Sequence, residues 1–307
     1  MHVSSRKLSE FTETPYKYWY TLKSVRVGCV KYLNARPLIR GWPGNVEFDH
    51  PSALCHRLAK GELDVALVSS FEFLRNPIYR IVDEVSISSD GPVYSVVVAH
   101  RGALSNIEEI ELDPASETAV NLLRCLLGEL GLKPRLIRNI DLQSVRPAGL
   151  QPAAWDAAEN ISAGRTGKMP MFQSGNARLI IGDQAIRFRQ EHASAFQFWD
   201  LGEQWKKLTR LPFVYALWLI RPEVPHARLI AQRLRGIRDE NLADIRAIVA
   251  DVVGSKQEIT RQLLNTYYNK HLRFGFGARE KQGLQTFADL CAKHGVLSKR
   301  TYEFDLV

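Results

Sequence analysis

The chain has 307 residues, of which 45% are hydrophobic and 24% are charged. This composition is typical of a soluble globular protein, and the length suits two domains of ordinary size. No stretch reaches the roughly 18 consecutive apolar residues of a membrane-spanning helix. The net charge is +8, but the basic residues are interspersed with acidic ones and no nucleic-acid-binding module is visible. We therefore expect no nucleic-acid or membrane partner, and a positive field that attracts a small anionic substrate.

The N-terminal region and the cysteines both indicate a cytoplasmic protein. Residues 1–24 are polar and charged throughout, without the apolar core of a secretory signal, and we interpret them as an N-terminal extension. The cysteines show neither the spacing of a metal site nor a paired redox motif, so we predict buried, reduced thiols. They are Cys29, Cys55, Cys125 and Cys291.

The first predicted element is an apolar strand over residues 25–30, which leads into a helix predicted over residues 34–41. Asn34 occupies the expected N-cap position, and Pro37 falls in the first turn, where its missing N–H costs nothing. Such a corner presents a polar side chain and free N–H groups at the carboxyl edge of a sheet. Open α/β sheets bind ligands at that edge. A plain helix cap remains the alternative interpretation of Asn34.

Strands and helices then alternate through the first half of the chain. Strands are predicted at residues 46–48, 63–68, 79–85 and 94–100 and near 111–114, and helices at residues 52–60, 69–73 and 117–130. This alternation predicts a largely parallel sheet. Residues 140–176 interrupt it, because they are rich in Gly, Pro, Ser, Gln and Asn. We predict a long loop there, with a short helix near residues 153–158.

The second half predicts strands at residues 178–181 and 212–220, followed by helices at residues 226–251, 255–270 and 278–294. Two long strands, 93–100 and 212–220, bracket the middle third of the chain. We therefore expect a discontinuous first domain of residues 25–92 and 221–307, with a second domain of residues 100–210 inserted into it. That layout is typical of the α/β type II periplasmic-binding-protein fold, in which the ligand cleft lies between two domains.

Small polar residues recur where the predicted strands end and helices begin. They are Asn34, Ser69, Ser70, Ser89, Gly91, Ser116, Thr118, Gly182 and Asp183. Helix N-termini with free N–H groups and hydroxyls bind anions, including carboxylates. Independent helix caps are the alternative explanation of this set. For Asp183 we favour a cap on a helix beginning near Gln184 over contact with a ligand.

Signatures of other chemistry are absent from the sequence. There is no nucleophile elbow, Walker loop or zinc-protease motif, and the histidines are dispersed. The segment Gly275-Phe276-Gly277 has no strand before it, so we interpret it as a turn between helices. The sequence therefore gives no support for a metal or redox cofactor.

Six segments of the chain, taken in order, resemble one known family. Residues 30–38, VKYLNARPL, resemble the Tyr-Leu-Asn-x-x-Pro-Leu signature of the chorismate dehydratases of the futalosine route to menaquinone. Further similar segments are residues 61–70, 89–96, 112–118, 180–185, and 200–205 together with 211–214. The resemblance spans residues 25–295. Much of the 140–176 loop falls outside it, and Asn176 stands where the family commonly has an acidic residue.

The resemblance implies a two-domain periplasmic-binding-protein-like enzyme. Its reaction would remove water from chorismate, a small dianionic molecule, to give 3-[(1-carboxyvinyl)oxy]benzoate without metal or organic cofactor. We expect Asn34 and Ser89 to be catalytic. The expected substrate-binding residues are Tyr32, Ser69, Ser70, Gly91, Ser116, Thr118, Gly182 and Asp183. No motif residue is a strong base, so we hypothesise that the enolpyruvyl carboxylate of the substrate takes the proton.

Two alternatives share this fold. The related 1,4-dihydroxy-6-naphthoate synthase begins with Ser-Pro-Cys-Pro-Asn-Asp, which this sequence lacks. The other alternative is a cytosolic solute-binding or sensor protein, which would bind a small molecule without converting it.

Overall fold

The strands of the chain form two separate five-stranded sheets. The computed structural model describes residues 15–113, 116–138, 177–255 and 259–307. The loop predicted over residues 140–176, with its short helix near residues 153–158 and Asn176, lies outside the described residues. The part of the N-terminal extension that is described is a helix, α1 (Pro15–Ser24).

The first sheet is built from both ends of the chain and has the strand order β2-β1-β3-β10-β4. Its strands are β1 (Val27–Cys29), β2 (Val46–Phe48), β3 (Val65–Ser69), β4 (Arg80–Ser89) and β10 (Phe213–Ile220). Strand β4 continues to Ser89, beyond its predicted end at residue 85. Strand β3 is buried along its whole length, because it has a neighbour on each side and its sequence, VALVS, is almost entirely apolar.

The second sheet is built from the middle of the chain and has the order β7-β6-β8-β5-β9. Its strands are β5 (Val96–His100), β6 (Glu109–Leu112), β7 (Arg135–Arg138), β8 (Ala177–Ile181) and β9 (Gln197–Asp200). Strands β7 and β9 had no counterpart in the sequence prediction. Both lie at the edges of the sheet, where their side chains are mostly half-buried or exposed, so their apolar pattern is weak.

The prediction of a largely parallel sheet needs one correction, because each sheet is mixed. Strand β10 pairs antiparallel with β3 and β4, and β5 pairs antiparallel with β8 and β9. The other pairs, β1 with β2 and β3, and β6 with β7 and β8, are parallel. Within the described residues, each sheet therefore has one reversed strand, and the remaining strands place their carboxyl ends at a common edge.

Helices cover the sheets and connect their strands. They are α2 (Arg36–Ile39), α3 (Pro51–Ala59), α4 (Ser70–Arg75), α5 (Glu117–Glu129), α6 (Gly182–His192), α7 (Leu201–Thr209), α8 (Ala227–Ala243), α9 (Ile245–Ser255), α10 (Arg261–Thr266) and α11 (Ala278–Lys293). No helix within the described ranges is long and apolar enough to cross a membrane.

Two long helices that the sequence predicted are interrupted. The predicted helix over residues 226–251 divides at Asp244, whose Oδ1 accepts the Ala247 N–H at 3.3 Å and so starts α9 as a new helix. In the predicted helix over residues 255–270, Thr260 caps α10 by accepting the Leu263 N–H at 3.2 Å. Helix α10 then continues as a π-helical turn, Tyr267–His271. The apolar periodicity predicts continuous helices, but the side chains of Asp244 and Thr260 each start a new helix within it.

Helix α5 joins the second sheet to the C-terminal helix α11. Its last turn carries Glu129, which binds Lys293 at 2.7 Å and His294 at 2.7 Å. One turn earlier, the Sγ atom of Cys125 lies 3.7 Å from that of Cys291. All four cysteines are buried, which confirms that part of the prediction. The C-terminal half of α5 is thus fixed against an element that packs on the first sheet.

Helix α11 approaches the start of β10 through a glycine. A Cβ atom at Gly283 would overlap the carbonyl oxygen of Pro212. That oxygen also accepts the indole N–H of Trp205 at 3.1 Å. Trp205 is completely buried, so neither the strand nor the indole has free space to move away.

We predict that Gly283→Ala destabilises the protein by about 1–3 kcal/mol, because the methyl group would collide with backbone. Gly236→Ala is the matched control: it also lies inside a helix, and its nearest neighbour would be an arginine side-chain atom at 3.7 Å. Replacing that glycine is expected to be neutral or stabilising by up to about 1 kcal/mol. Urea unfolding measures both, and equal stability of the two variants would contradict close packing at Pro212.

Candidate active site between the two sheets

The corner after β1 forms a short helical turn in place of the predicted cap. A 3₁₀ turn, Leu33–Ala35, precedes α2, and Pro37 lies in the first turn of α2 as expected. The N-caps are Tyr32 for the 3₁₀ turn and Ala35 for α2, and neither side chain makes a capping bond. The expectation that Asn34 caps a helix over residues 34–41 is therefore wrong. The extra turn moves Asn34 inside the helical segment, and its Oδ1 is buried and accepts no hydrogen bond from the described residues.

The turn after β1 is held by side chains from α6 and from the C-terminal π-helical turn. The Leu33 N–H donates to Oδ1 of Asp183 at 2.9 Å, and the Leu33 carbonyl accepts the Tyr268 hydroxyl at 2.8 Å. The ring of Tyr32 packs on Gly182, where a Cβ atom would lie 3.0 Å from the ring. Gly182 has φ +61°, which glycine adopts without strain.

The preference for Asp183 as a helix cap is also wrong. Helix α6 begins at Gly182, its N-cap is Ile181, and it has no side-chain capping bond. Asp183 is therefore already inside the first turn. Its carboxylate is buried and accepts a hydrogen bond from the backbone of the turn after β1, instead of capping its own helix.

A second contact between the sheets joins the end of β3 to the start of α5. The Ser69 hydroxyl is hydrogen-bonded to the Thr118 hydroxyl, and Thr118 Oγ1 also accepts the Phe71 N–H at 3.3 Å. The Ser70 hydroxyl donates to the Val214 carbonyl at 2.7 Å, and its oxygen lies 3.5 Å from Thr118 Oγ1. Ser116 is the N-cap of α5, because its Oγ accepts the Ala119 N–H at 3.1 Å.

The crossover between the sheets carries Ser89 and Gly91. The Ser89 hydroxyl donates to the Gly91 carbonyl at 3.0 Å and lies 3.1 Å from the Tyr215 hydroxyl. Gly91 has φ +132°, a conformation that a larger residue would adopt only with strain. Strand β10 pairs with Ser69 on one side and with Ser89 on the other, through Ala216 and Phe213. The two serine positions therefore flank the same strand.

Sequence reasoning missed Asp200 as a member of this region. Its buried carboxylate accepts the Val93 N–H at 3.0 Å, the Tyr94 N–H at 2.8 Å and the Glu203 N–H at 3.1 Å. Arg189 adds an ion pair at 3.3 Å. In the sequence, Asp200 is an aspartate immediately before a helix, which predicts its capping bond to the Glu203 N–H. The same pattern does not predict its bonds to Val93, Tyr94 and Arg189.

The C-terminal part of the chain also contributes hydroxyl groups that the sequence did not indicate. Tyr267 and Tyr268 belong to the π-helical turn, and π-helical turns are frequent at functional sites. Tyr267 donates to Oγ of Ser95 at 2.8 Å, and the Ser95 carbonyl accepts the Gly182 N–H at 2.8 Å. Paired aromatic residues in a helical pattern are usually core residues, so these tyrosines gave no functional signal.

Burial keeps the tyrosine hydroxyls of this region in their protonated form. In each case burial is the main cause that raises the pKa, and nearby carboxylates such as Asp183 and Asp200 raise it further. The tyrosines with a raised pKa are Tyr32, Tyr215, Tyr267 and Tyr268. These side chains are therefore hydrogen-bond donors throughout the physiological pH range.

The region collects neutral hydroxyls, one amide and helix N-termini at the boundary of the two sheets. Three groupings contain the predicted site residues: the corner with Tyr32, Asn34, Gly182 and Asp183, the pair of strand and helix ends with Ser69, Ser70, Ser116 and Thr118, and the crossover with Ser89 and Gly91. No cluster of three possible metal ligands occurs in the described part of the chain. Such donors suit the binding of a small anionic molecule.

Comparison with known proteins identifies the family. The model of the menaquinone biosynthesis family (VitK2_biosynth) matches residues 25–158 and 150–293. The chain belongs to this menaquinone biosynthesis family. The chorismate dehydratase of Thermus thermophilus is 29% identical over 281 residues, which cover 86% of this chain and 93% of that protein. The family suggested by the sequence segments is thereby confirmed.

Solved structures confirm the fold of this family member. A protein of Archaeoglobus fulgidus has a TM-score of 0.63 at 13% identity, covering 89% of this chain and 98% of that one. The alkanesulfonate-binding protein of Xanthomonas axonopodis has a TM-score of 0.59 at 16% identity, covering 91% and 95%. A Candida albicans protein with the generic periplasmic binding protein fold has a TM-score of 0.55 at 9% identity, covering 90% and 92%. The predicted two-domain periplasmic-binding-protein-like α/β fold is correct.

We predict that the buried tyrosines make this protein lose stability at alkaline pH. Their folded-state pKa values are raised above the unfolded value of about 10, so the folded state keeps protons that the unfolded chain releases. Their contribution is fully present below about pH 10 and is lost as the pH rises through the folded-state pKa values. Tyr215→Phe should lose less stability than the wild type between about pH 9 and 11. Tyr20→Phe, at a residue that is 64% exposed, should behave like the wild type in the same urea titration.

Proposed function

We propose that this chain removes water from chorismate to give 3-[(1-carboxyvinyl)oxy]benzoate. The observation that carries the proposal is the similarity to the Thermus thermophilus chorismate dehydratase along most of both chains. Membership of the menaquinone biosynthesis family agrees with this reaction. The enzyme would accordingly be a carbon–oxygen lyase that acts on a small dianion.

The reaction needs modest help from a protein, because the product ring is aromatic. The proton on carbon 3 and the hydroxyl on carbon 4 leave, and the ring carboxylate delocalises the charge that develops in between. Hydrogen bonds to that carboxylate would stabilise the developing dienolate. The region between the sheets offers such donors at the hydroxyl of Thr118, at the start of α5 and at the start of α6.

We assign proton removal to the enolpyruvyl carboxylate of the substrate. The carboxylates of the region have other partners: Asp183 binds the Leu33 N–H, and Asp200 binds backbone N–H groups and Arg189. Asn34 and Ser89 would position the substrate carboxylate, since both are neutral groups at the boundary of the sheets. Proximity and orientation can lower an activation barrier by roughly 7–11 kcal/mol, and holding the base beside the C–H bond can supply several kcal/mol of that reduction.

Incubation of the purified protein with chorismate tests the proposal. Loss of the diene absorbance, with formation of the aromatic enol ether, is the expected result. Binding of chorismate without turnover would instead indicate a solute-binding or sensor protein on the same fold. Absence of both binding and turnover would overturn the proposal altogether. The predicted cytoplasmic location stays a prediction, and fractionation of cells tests it.

We predict that Asn34→Ala folds normally and loses most of its turnover. Asn34 makes no capping bond but its side chain is hydrogen-bonded to the buried Tyr267, so its removal should cost about 0.5–1.5 kcal/mol, which leaves the protein folded. Its loss should lower kcat/KM for chorismate by at least tenfold, which corresponds to about 1.4 kcal/mol. Steady-state kinetics and thermal melting measure the two effects. Near-normal kcat/KM would remove Asn34 from the catalytic residues.

Two hydroxyls at the start of α5 should respond differently to replacement by alanine. Ser116→Ala removes a capping bond and should cost about 0.5–2 kcal/mol of stability with little change in chorismate affinity. Thr118→Ala removes a buried hydroxyl that bonds to Ser69 and accepts the Phe71 N–H, and should lower both stability, by about 1–3 kcal/mol, and chorismate affinity. Calorimetric titration and urea unfolding distinguish the two. Unaltered affinity in Thr118→Ala would place the substrate carboxylate elsewhere.

The limits of the two domains are part of the same proposal. We propose that the first domain contains residues 25–92 and 221–307, that residues 100–210 form the second, and that residues 93–100 and 212–220 connect them. Support comes from the sheets, since the strands within residues 27–89 share a sheet with β10, and the strands within residues 96–200 form the other. Residues 93–100 and 212–220 contain β5 and β10, so each connecting segment is itself a strand of one of the two sheets.

A further inference from the structure

The hydroxyl of Tyr215 is enclosed at the point where the chain crosses between the sheets. It lies 3.1 Å from Oγ of Ser89. On its other side is Gly202, in the first turn of α7. A Cβ atom at Gly202 would lie 2.6 Å from this hydroxyl, 2.6 Å from the Gly91 carbonyl oxygen and 2.7 Å from Oγ of Ser89. Only a glycine leaves room for these three oxygen atoms, so the Tyr215 hydroxyl has little freedom to move.

The hydrogen bonds of Ser89 have a defined direction. A carbonyl only accepts, so the Ser89 hydroxyl donates its single proton to Gly91, at 3.0 Å. Its oxygen must then accept from Tyr215. The Ser89 proton can turn towards a bound carboxylate by rotation about the Cβ–Oγ bond alone. Tyr215 can continue to donate during that rotation, which would keep the oxygen atom in place.

Tyr215 is suited to act as a permanent donor. Burial and the nearby Asp200 carboxylate raise its pKa, against a smaller lowering effect of Ser89. The phenol therefore keeps its proton at every physiological pH. Its ring is fixed as well, by an edge-on contact with Phe213 at 4.8 Å between ring centroids.

We propose that Tyr215 is a positioning residue that holds the Ser89 oxygen at the place where Ser89 meets the substrate. Tyr215 itself does not contact the reacting atoms in this arrangement, and it acts through Ser89. The inference rests on the proposed function, because Ser89 is one of the residues assigned there to the handling of chorismate.

A double-mutant cycle on kcat tests whether Tyr215 acts through Ser89. Tyr215→Phe should lower kcat for chorismate by about three- to tenfold, the effect of one neutral hydrogen bond, while KM changes less than twofold. In a Ser89→Ala background the same change should have no further effect on kcat. Multiplicative losses in the double variant would overturn the proposal, as would unchanged kcat in Tyr215→Phe.

Tyr302→Phe is the matched control. Tyr302 is also buried and donates one hydrogen bond, to the Leu74 carbonyl at 2.8 Å, in a different part of the first domain. It should lose as much stability as Tyr215→Phe does, with unchanged kcat. An equal fall of kcat in both variants would show a general structural effect and overturn the positioning role.

A crystal structure of Tyr215→Phe gives a readout that is independent of chorismate. Without its donor, the Ser89 side chain is expected to change rotamer or to recruit a water molecule at the vacated position. An unmoved Ser89 with no such water would overturn the proposal even if the wild-type enzyme converts chorismate. Conversely, a displaced Ser89 in a protein without dehydratase activity would refute the proposed function and leave the positioning contact intact.

Discussion

The carboxylate of Asp200 holds the crossover on which the arrangement of the two sheets depends. It accepts the N–H groups of Val93 and Tyr94, which belong to the connection, and the N–H of Glu203, which begins α7. Tyr94 has φ +68°, a conformation that costs a non-glycine residue about 1–2 kcal/mol. Arg189 both pairs with Asp200 and lies over the Tyr94 ring at 4.1 Å. A buried carboxylate with several charge-assisted bonds can offset such strain, whereas removal of the carboxylate would leave those donors unpaired.

Strand direction explains why polar groups from distant parts of the sequence gather at one boundary. The two sheets share one plan, in which the fourth strand in the spatial order runs opposite to the others. The carboxyl ends of the remaining strands of each sheet then lie at one edge, so α6 begins near the corner after β1 and α5 begins near the end of β3. The contacts of Leu33 with Asp183 and of Ser69 with Thr118 are the result. The π-helical turn adds two tyrosines from the C-terminal region to the same place.

Local patterns predicted most of the fold, because buried strands and capped helices leave clear signals in a sequence. Strand β3 and helix α5 are examples, the first through its apolar run and the second through Ser116. For the site, the sequence predicted which polar residues follow the strands, but not which of them contact one another. The partner of Asp183 is a backbone N–H 150 residues away, and the hydroxyls of Tyr215 and Tyr267 belong to residues whose patterns indicate core packing. Such contacts depend on how two sheets meet, which no local pattern encodes.

The pairing of β5 with β9 determines where the chain enters and leaves the second sheet. Strand β5 is the first of the second sheet and β9 is the last, and the two are antiparallel neighbours in which Val97 is paired with Asp200. Paired residues of this kind lie about 5 Å apart at their Cα atoms. The polypeptide therefore enters and leaves the second sheet at nearly the same point, as inserted domains commonly do. A short linker would be enough to span the distance between the two positions.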